Sequence, residues 1–353
     1  MGAERKMDHI EICMKDNVSA SRNYWDDVKI IHKALPEVSL DKIDTSVTLF
    51  GKKLAAPIII SAMTGGCDNA EKINRNLAYG AAKVGVGLGV GSQRPALENQ
   101  KFAKSYEVVK EFEVPLLIGN VGAPQLVAQK GRKIFTLADC QRAIEMIDAD
   151  VLAIHMNFLQ EIVQPEGETN ADGCLNAIGR IADKLPLIVK ETGAGISQEV
   201  AQALMQKGVI GLDVGGLGGT SFAAVEYHRA KKRGLEPLAR LGKTFWDWGI
   251  PTPVSVIVAD VGLPIISTGG LRNGLDVARS ISLGASAGGL ARDLLAAATI
   301  GPEEVEKELR MLVTELKAAM FLAGASDIKD LKDAPVVITG ETADWLNAME
   351  PVE

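Results

Sequence analysis

A histidine, two side-chain amides and a carboxylate stand in one short stretch, His155-Met156-Asn157-Phe158-Leu159-Gln160-Glu161. Histidine and carboxylic acids move protons, amides orient polar ligands, and a loop carboxylate can hold a hydrated divalent ion. His155 and Asn157 are two residues apart, so on a strand both face one side. A single buried histidine is ordinarily structural. Its grouping with Gln160 and Glu161 points instead to a site.

Other residues end short aliphatic runs. Lys190 closes LPLIVKET (185–192). An ammonium there is costly unless it meets an anion or an electron-rich ring; the alternative is a stem that carries the charge to water. Arg94 ends Gly91-Ser92-Gln93-Arg94, where its fork could hold a phosphate or make an ordinary surface ion pair. In Ala62-Met63-Thr64-Gly65-Gly66, small residues with free N–H groups could lie against a flat ring, or simply make a tight turn. Asn120, beside Gly119, could bond a heterocycle edge or its own backbone. Gly270 and Arg272, with Ala287 and Gly288, fit a phosphate held at a short helix N-terminus, and Thr220 could add a hydroxyl.

These residues need elements that bring them together. Eight aliphatic runs recur, with starts near 58, 86, 115, 151, 186, 211, 264 and 286. Continuous apolar runs mark parallel strands covered on both faces. Between them lie segments with apolar residues at three- and four-residue spacing, among them 69–85, 135–149, 170–184 and 197–208. Ser197 and Asn273 are expected N-caps. Eight βα units predict a TIM (β/α)8 barrel, with a doubly wound sheet as the rival. The long step from 211 to 264 requires an insertion. Residues 1–56 form an N-terminal extension in which DTSVTLFGKKL (44–54) reads as a hairpin under the barrel. The barrel occupies 57–300. Residues 301–353 supply a helix over 302–323, opened by Pro302, and a tail. No linker marks a second domain within 1–353.

Composition narrows the class. The 353 residues carry 38 Lys and Arg against 45 Asp and Glu, a net charge of −7, which argues against a general nucleic-acid binder. Glycine is about a tenth of the chain against a usual ~7%, as repeated strand-to-helix turns require. The four cysteines form no CxxC pair, which disfavours zinc and fits a reduced cytoplasm. The start, MGAERKMDHIEIC, lacks the apolar core of a secretory signal, and no run is long enough for a membrane span. GVGLGVGS (85–92) lacks the order of a dinucleotide fingerprint. From the residues alone, the reading is a barrel holding a phosphate-bearing cofactor, flavin mononucleotide (FMN), with a second anion site near strand two.

The motifs, taken in order, resemble the type 2, FMN-dependent isopentenyl-diphosphate delta-isomerases. They are Arg5-Lys6-x-x-His9-Ile10, Ser61 to Gly66, Gly91 to Arg94, His155-x-Asn157-x-x-Gln160-Glu161, Lys190-Glu191, Gly218-Gly219-Thr220, Trp248 to Thr252, and Ser267-x-Gly269-Gly270-x-Arg272. The resemblance implies FMN contacts at Ala62, Met63, Thr64, Ser92, Asn120, Lys190, Thr220, Gly270, Arg272, Ala287 and Gly288. It implies that the substrate diphosphate meets Arg5, Lys6, Ser92, Arg94, His155, Asn157 and Gln160, that Glu161 holds Mg2+, and that His155, Asn157, Gln160 and Lys190 serve catalysis. It further implies a reduced flavin primed by NADPH or NADH, a cytoplasmic homotetramer or homo-octamer, and no nucleic-acid or membrane partner. The reaction would shift a double bond between isopentenyl and dimethylallyl diphosphate in isoprenoid biosynthesis. An FMN-dependent barrel oxidoreductase acting on a small hydroxy acid is the alternative of a different class; a non-enzymatic flavin store would leave the His155 cluster unused.

Overall fold

The computed structural model describes residues 2–67 and 69–349. Eight parallel strands close on themselves. They are β1 (Ile58–Ile60), β2 (Gly87–Gly89), β3 (Leu117–Gly122), β4 (Val151–Met156), β5 (Leu187–Glu191), β6 (Gly211–Asp213), β7 (Ile265–Thr268) and β8 (Ala287–Leu290). They pair in chain order, and β8 returns to β1 with Gly288 opposite Ile58. The fold is therefore the expected (β/α)8 barrel, and the doubly wound sheet is excluded. The largest offset is at β3, expected from 115 and found from Leu117.

The predicted helices form as Ala70–Val84, Leu137–Ile147, Cys174–Ala182 and Gln198–Gln206. Ser197 and Asn273 cap helices, their side chains accepting from the N–H groups of Val200 and Asp276. The insertion between β6 and β7 holds three helices, Phe222–Lys232, Glu236–Thr244 and Thr252–Val258. The helix Pro302–Ala323 packs on Ala70–Val84, and Val336–Ile338 of the tail pairs antiparallel with Val28–Ile30.

Alternation along the strands sorts the barrel interior into layers. The lower positions are apolar: Ile59, Leu116, Ile118, Val151, Ala153, Ile188, Ile266 and Ala287. The hairpin Val47–Leu49 and Lys52–Leu54 plugs this end with Leu49 and Leu54, as expected of a hairpin under the barrel. One step up each strand, the residues in phase with this layer are Ser61, Asn120, His155, Lys190, Asp213, Thr268 and Gly289. Apolar floor thus changes to polar layer within one inward step.

The N-terminal segment crosses the opposite end. Residues Gly2–Lys15 form a helix that the charged sequence did not announce. It docks through Ile12 and Cys13 onto Phe222, Ala224 and Val225. Isolated short helices are marginal, so this packing rather than propensity holds it. Beyond it, Ala20 N donates to Gly219 O at 2.7 Å, and Ser221 N to Val18 O at 2.8 Å. No helix among the described residues is long and apolar enough to cross a membrane.

If the hairpin is the barrel's plug, Leu49→Ala opens a cavity at its floor. Urea unfolding should show a loss of ~2–5 kcal/mol. A loss near zero would mean that the hairpin lies on the barrel without filling it.

Candidate active site

A cavity of about 490 Å³ opens at the C-terminal ends of the strands, under the N-terminal helix. With two exceptions, every site residue expected from the sequence lines it.

The exceptions lie on β8. Ala287 belongs to the apolar layer below the cavity. Gly288 faces outward, where a Cβ would meet Leu271 and Val277. The wall is instead made by Gly289, Leu290, Ala291 and Arg292. Gly289 has to be glycine: a Cβ would stand 2.2 Å from Thr268 Cγ2 and 2.6 Å from Ser61 Oγ. The helix Arg292–Ile300 starts at this wall, so its first-turn N–H groups could meet an anion from four residues beyond Gly288 onward. Across from it, the loop after β7 is pinned by Trp25 Nε1 donating to Gly269 O at 3.0 Å and Asn23 Nδ2 to Gly270 O at 2.6 Å.

Arg272 lines the cavity as expected. Its guanidinium is also held by Asp26 at 2.8 Å and by Asp276 at 2.9 Å, and these carboxylates push it above its ordinary range. A second side-chain cation on this wall is Arg292, whose Nη1 donates to Ser19 Oγ at 2.8 Å and which meets no carboxylate among the described residues. Sequence reading missed Arg292 because it follows an unremarkable Gly-Leu-Ala.

At the other end stand Arg5, Lys6 and Arg94. Lys6 Nζ donates to Ser92 O at 2.9 Å and Tyr106 OH at 3.1 Å. Burial, with a smaller push from Arg5 and against the pull of Cys67, lowers Lys6 to about 7. An anion beside it would restore its charge. Arg94 donates to Glu168 at 2.6 Å and Glu98 at 2.9 Å. Arg5 reaches only Gln164, at 3.5 Å.

His155 Nδ1 lies 2.7 Å from Asn120 Oδ1. Asn120 Nδ2 is committed to Val90 O at 3.0 Å, so Oδ1 accepts and Nδ1 carries the proton. The Nε2 lone pair is left as an acceptor. Burial first, then Lys190, Lys6, Arg5 and Arg94, drive His155 down to about 3, so it is neutral at pH 7. Asn120, expected against the cofactor, is also the clamp that selects this tautomer.

Glu161 is buried, and burial raises its pKa against the pull of its donors. Oε1 accepts from Asn157 Nδ2 at 2.9 Å; Oε2 accepts from Glu168 N at 2.7 Å and from Gln164 Nε2. Three of about four acceptor directions are used, which leaves one for an ion. Asn157 Nδ2 also donates to Gln160 Oε1 at 3.0 Å, and Gln160 Nε2 points to Glu226 at 3.4 Å. Glu226 in turn meets His9 Nε2 at 2.7 Å and Arg229 at 3.2 Å. Gln164, Glu168 and Glu226 escaped the sequence reading because each lies in a helix or loop with no spacing signal.

The residues fit a flavin. Lys190 ends β5 with Nζ 3.3 Å from Asp213. Ser61 Oγ and Thr64 Oγ1 are buried at the wall without a partner among the described residues, as is Asn157 Oδ1. Unpaired buried hydroxyls are costly, so a polar ligand is their natural complement. Backbone around Thr220 and Gly270, with the helix end at Arg292, completes a phosphate cradle.

The profile of the FMN-dependent dehydrogenase family matches residues 3–100 and 155–338, which places this barrel in the class of FMN-dependent barrel proteins. Solved structures share the fold. A lactate oxidase from Pediococcus acidilactici is 17% identical, with TM-score 0.63 over 90% of this chain and 84% of that one. A mandelate oxidase with (S)-2-phenylpropionate is 18% identical, with TM-score 0.63 over 95% and 98%. The sequence is far closer to another group. It is 48% identical to the isopentenyl-diphosphate delta-isomerase of Thermoplasma volcanium, over 97% of this chain and 99% of that one. It is 47% identical to that of Methanosarcina mazei, over 98% and 94%. The chain belongs to the isopentenyl-diphosphate delta-isomerase family.

The state of His155 has a measurable consequence. Its folded pKa of about 3 lies below the ordinary 6.5, so between these values the unfolded chain binds the extra proton. The stability this group contributes is complete above pH 6.5 and is lost as pH falls toward 3. The variant His155→Asn should therefore lose less stability between pH 7 and 4 than the wild type, followed by urea unfolding at each pH. Equal losses would mean that His155 titrates alike in the folded and unfolded protein.

Proposed function

We propose that this chain interconverts isopentenyl and dimethylallyl diphosphate, with FMN in the cradle between β7 and β8 and the diphosphate among Arg5, Lys6 and Arg94. The observation that supports the reading is that one cavity is lined by the start of the helix Arg292–Ile300, by the cations Arg5, Lys6 and Arg94, and by Lys190 and His155. That arrangement suits two phosphate-bearing molecules at once.

The side chains divide the work. Arg5, Lys6 and Arg94 bind the diphosphate and orient the five-carbon chain toward Lys190. Ser92, Asn157 and Gln160 line the same end. Mg2+ on the remaining acceptor of Glu161 would bridge to the diphosphate, since Mg2+ takes one or two protein carboxylates, phosphate oxygens and waters. His155 stays neutral and offers Nε2 as an acceptor. Net reaction removes one proton from C2 and adds one at C4, yet no side-chain acid–base pair stands free. Bound in reduced form, flavin would supply an electron-rich ring able to exchange a proton, the capacity the side chains lack. Ala62, Met63 and Thr64 would flank that ring, and Lys190 would balance its negative charge.

Because the reaction has no net redox change, the electrons that reduce the flavin come from outside, with NADPH or NADH as donor. A cytoplasmic location agrees with the four free cysteines, and the reading includes a homotetramer or homo-octamer. An oxidoreductase acting on a small hydroxy acid is the weaker reading: its base would have to be His155 Nε2, which burial and nearby cations hold down to about 3, and Arg5, Lys6 and Glu161 would have no task.

The test is turnover of isopentenyl diphosphate by FMN-loaded protein, aerobically and under anaerobic reduction. Activity should need reduced flavin; full activity of flavin-free protein in air would refute the reading. Under it, Glu161→Gln keeps fold and flavin but loses at least tenfold in turnover at ordinary Mg2+, and excess Mg2+ partly restores it. Wild-type activity with unchanged Mg2+ dependence would move the metal elsewhere. Lys190→Ala should weaken flavin affinity and turnover; unchanged values would mean that Lys190 serves only as the structural partner of Asp213.

A further inference from the structure

Lys190 does not present a free charge. Asp213, the last residue of β6, is its direct partner in the parallel ladder. Asp213 Oδ2 lies 3.3 Å from Lys190 Nζ, and Oδ1 accepts a short hydrogen bond from Thr268 Oγ1 on β7. Lys190 Nζ also donates to Glu191 O at 2.7 Å. All three side chains are buried in the polar layer, yet Asp213 does not line the cavity. Three adjacent strands thus hold one ammonium against one carboxylate, with the carboxylate on the far side from any ligand.

We propose that Asp213 is the fixed counter-charge of Lys190 and sets the reduction potential of the flavin, acting through Lys190 as a positioning residue. The inference rests on the proposed flavin-binding reading of the cavity. A bare buried ammonium would favour an anionic reduced ring and draw the potential up. An ion pair presents a dipole instead, whose field falls off faster than that of a charge. The pair also answers a need of the empty cradle: a buried lysine without its carboxylate would be an uncompensated charge whenever cofactor is absent. For a reaction that consumes no electrons, the useful ring is one that keeps a mobile proton. A lysine at full strength would lock it as an anion.

Asp213→Asn is close to isosteric, and its amide oxygen can still accept from Thr268, so charge is removed with little change in packing. The measurement is the two-electron midpoint potential of bound FMN by dye-linked reduction, with sulfite affinity as a second readout. Wild-type protein is loaded first. The variant should show a potential more positive by at least ~30 mV, a tenfold change for two electrons, and a sulfite dissociation constant lower by tenfold or more. A purely structural role for Asp213 moves neither. An unchanged or more negative potential together with an unchanged or higher sulfite dissociation constant in the FMN-loaded variant, with FMN bound normally by the wild type, overturns the proposal and leaves the flavin reading standing. Wild-type protein that takes up no FMN overturns both. Should Asp213→Asn fail to accumulate, Asp213→Ser keeps a hydroxyl toward Thr268, removes the same charge, and is expected to shift both readouts in the same direction.

Discussion

A strand in a closed barrel turns every second side chain toward the axis, and this alternation governs the rest of the molecule. It allows one abrupt change of medium. Below, Ile59, Ile118, Ile188 and Ile266 close the axis as a dry floor. One inward step later the same strands present Ser61, Asn120, Lys190 and Thr268. A polar group on an apolar floor is desolvated from beneath, so its electrostatic interactions are stronger than at a surface. The depression of His155 to about 3 is the direct result. The cations Lys190, Lys6, Arg5 and Arg94 add to that effect in the same direction.

The same desolvation explains the distribution of charge. Cations on this floor need partners or ligands. Lys190 has a permanent partner in Asp213. Lys6 has only neutral oxygens, Ser92 O and Tyr106 OH, and burial takes it to about 7. Under the proposed function the difference has a use: the cation with its own carboxylate would tune what lies beside it, whereas the one without would be held ready for an anion. Lys6 also comes from the N-terminal helix, which is anchored by Ile12 on the insertion and by His9 on Glu226. The strands supply a fixed floor, and the extension brings the charges that close over it.

The barrel was legible in the sequence because apolar runs and turn glycines recur eight times, and parallel strands covered on both faces have no other pattern. The His155 to Glu161 cluster was legible because its spacing places it at one strand end. What failed did so for identifiable reasons. Ala287 and Gly288 were chosen from the small residues of GASAGGLAR, where composition cannot reveal phase; the register places the helix start at Arg292. Arg272 stands in the wall as expected, but nothing in the sequence announces Asp26, which reaches it from 246 residues away. Asp213 stood in plain view in GLDVGG, but its meaning depends on which residue of β5 lies beside it, and that is a property of pairing rather than of pattern. The helix Gly2–Lys15 was missed because its stability comes from docking.

One barrel serves both the oxidases whose fold this chain shares and the isomerases whose sequence it shares, so the floor alone does not decide the reaction. The decision lies in which groups remain free above it. In this chain the carboxylates near the site are occupied. Glu161 is bound by three donors, and Glu191, raised to about 7 by burial, is wrapped by the N–H groups of Thr192, Gly193 and Ala194. His155 has one nitrogen tied to Asn120. An oxidase of hydroxy acids needs a free base over its substrate; here the uncommitted groups are mainly cationic. A site with fixed cations, occupied carboxylates and a histidine held down to about 3 can bind an anion firmly and position its carbon chain, but its one open nitrogen is a weak base, so a cofactor that carries its own proton suits it better. That is the requirement of a diphosphate isomerase, and it makes the flavin's charge state, rather than any side-chain acid, the quantity that the surrounding residues have to control.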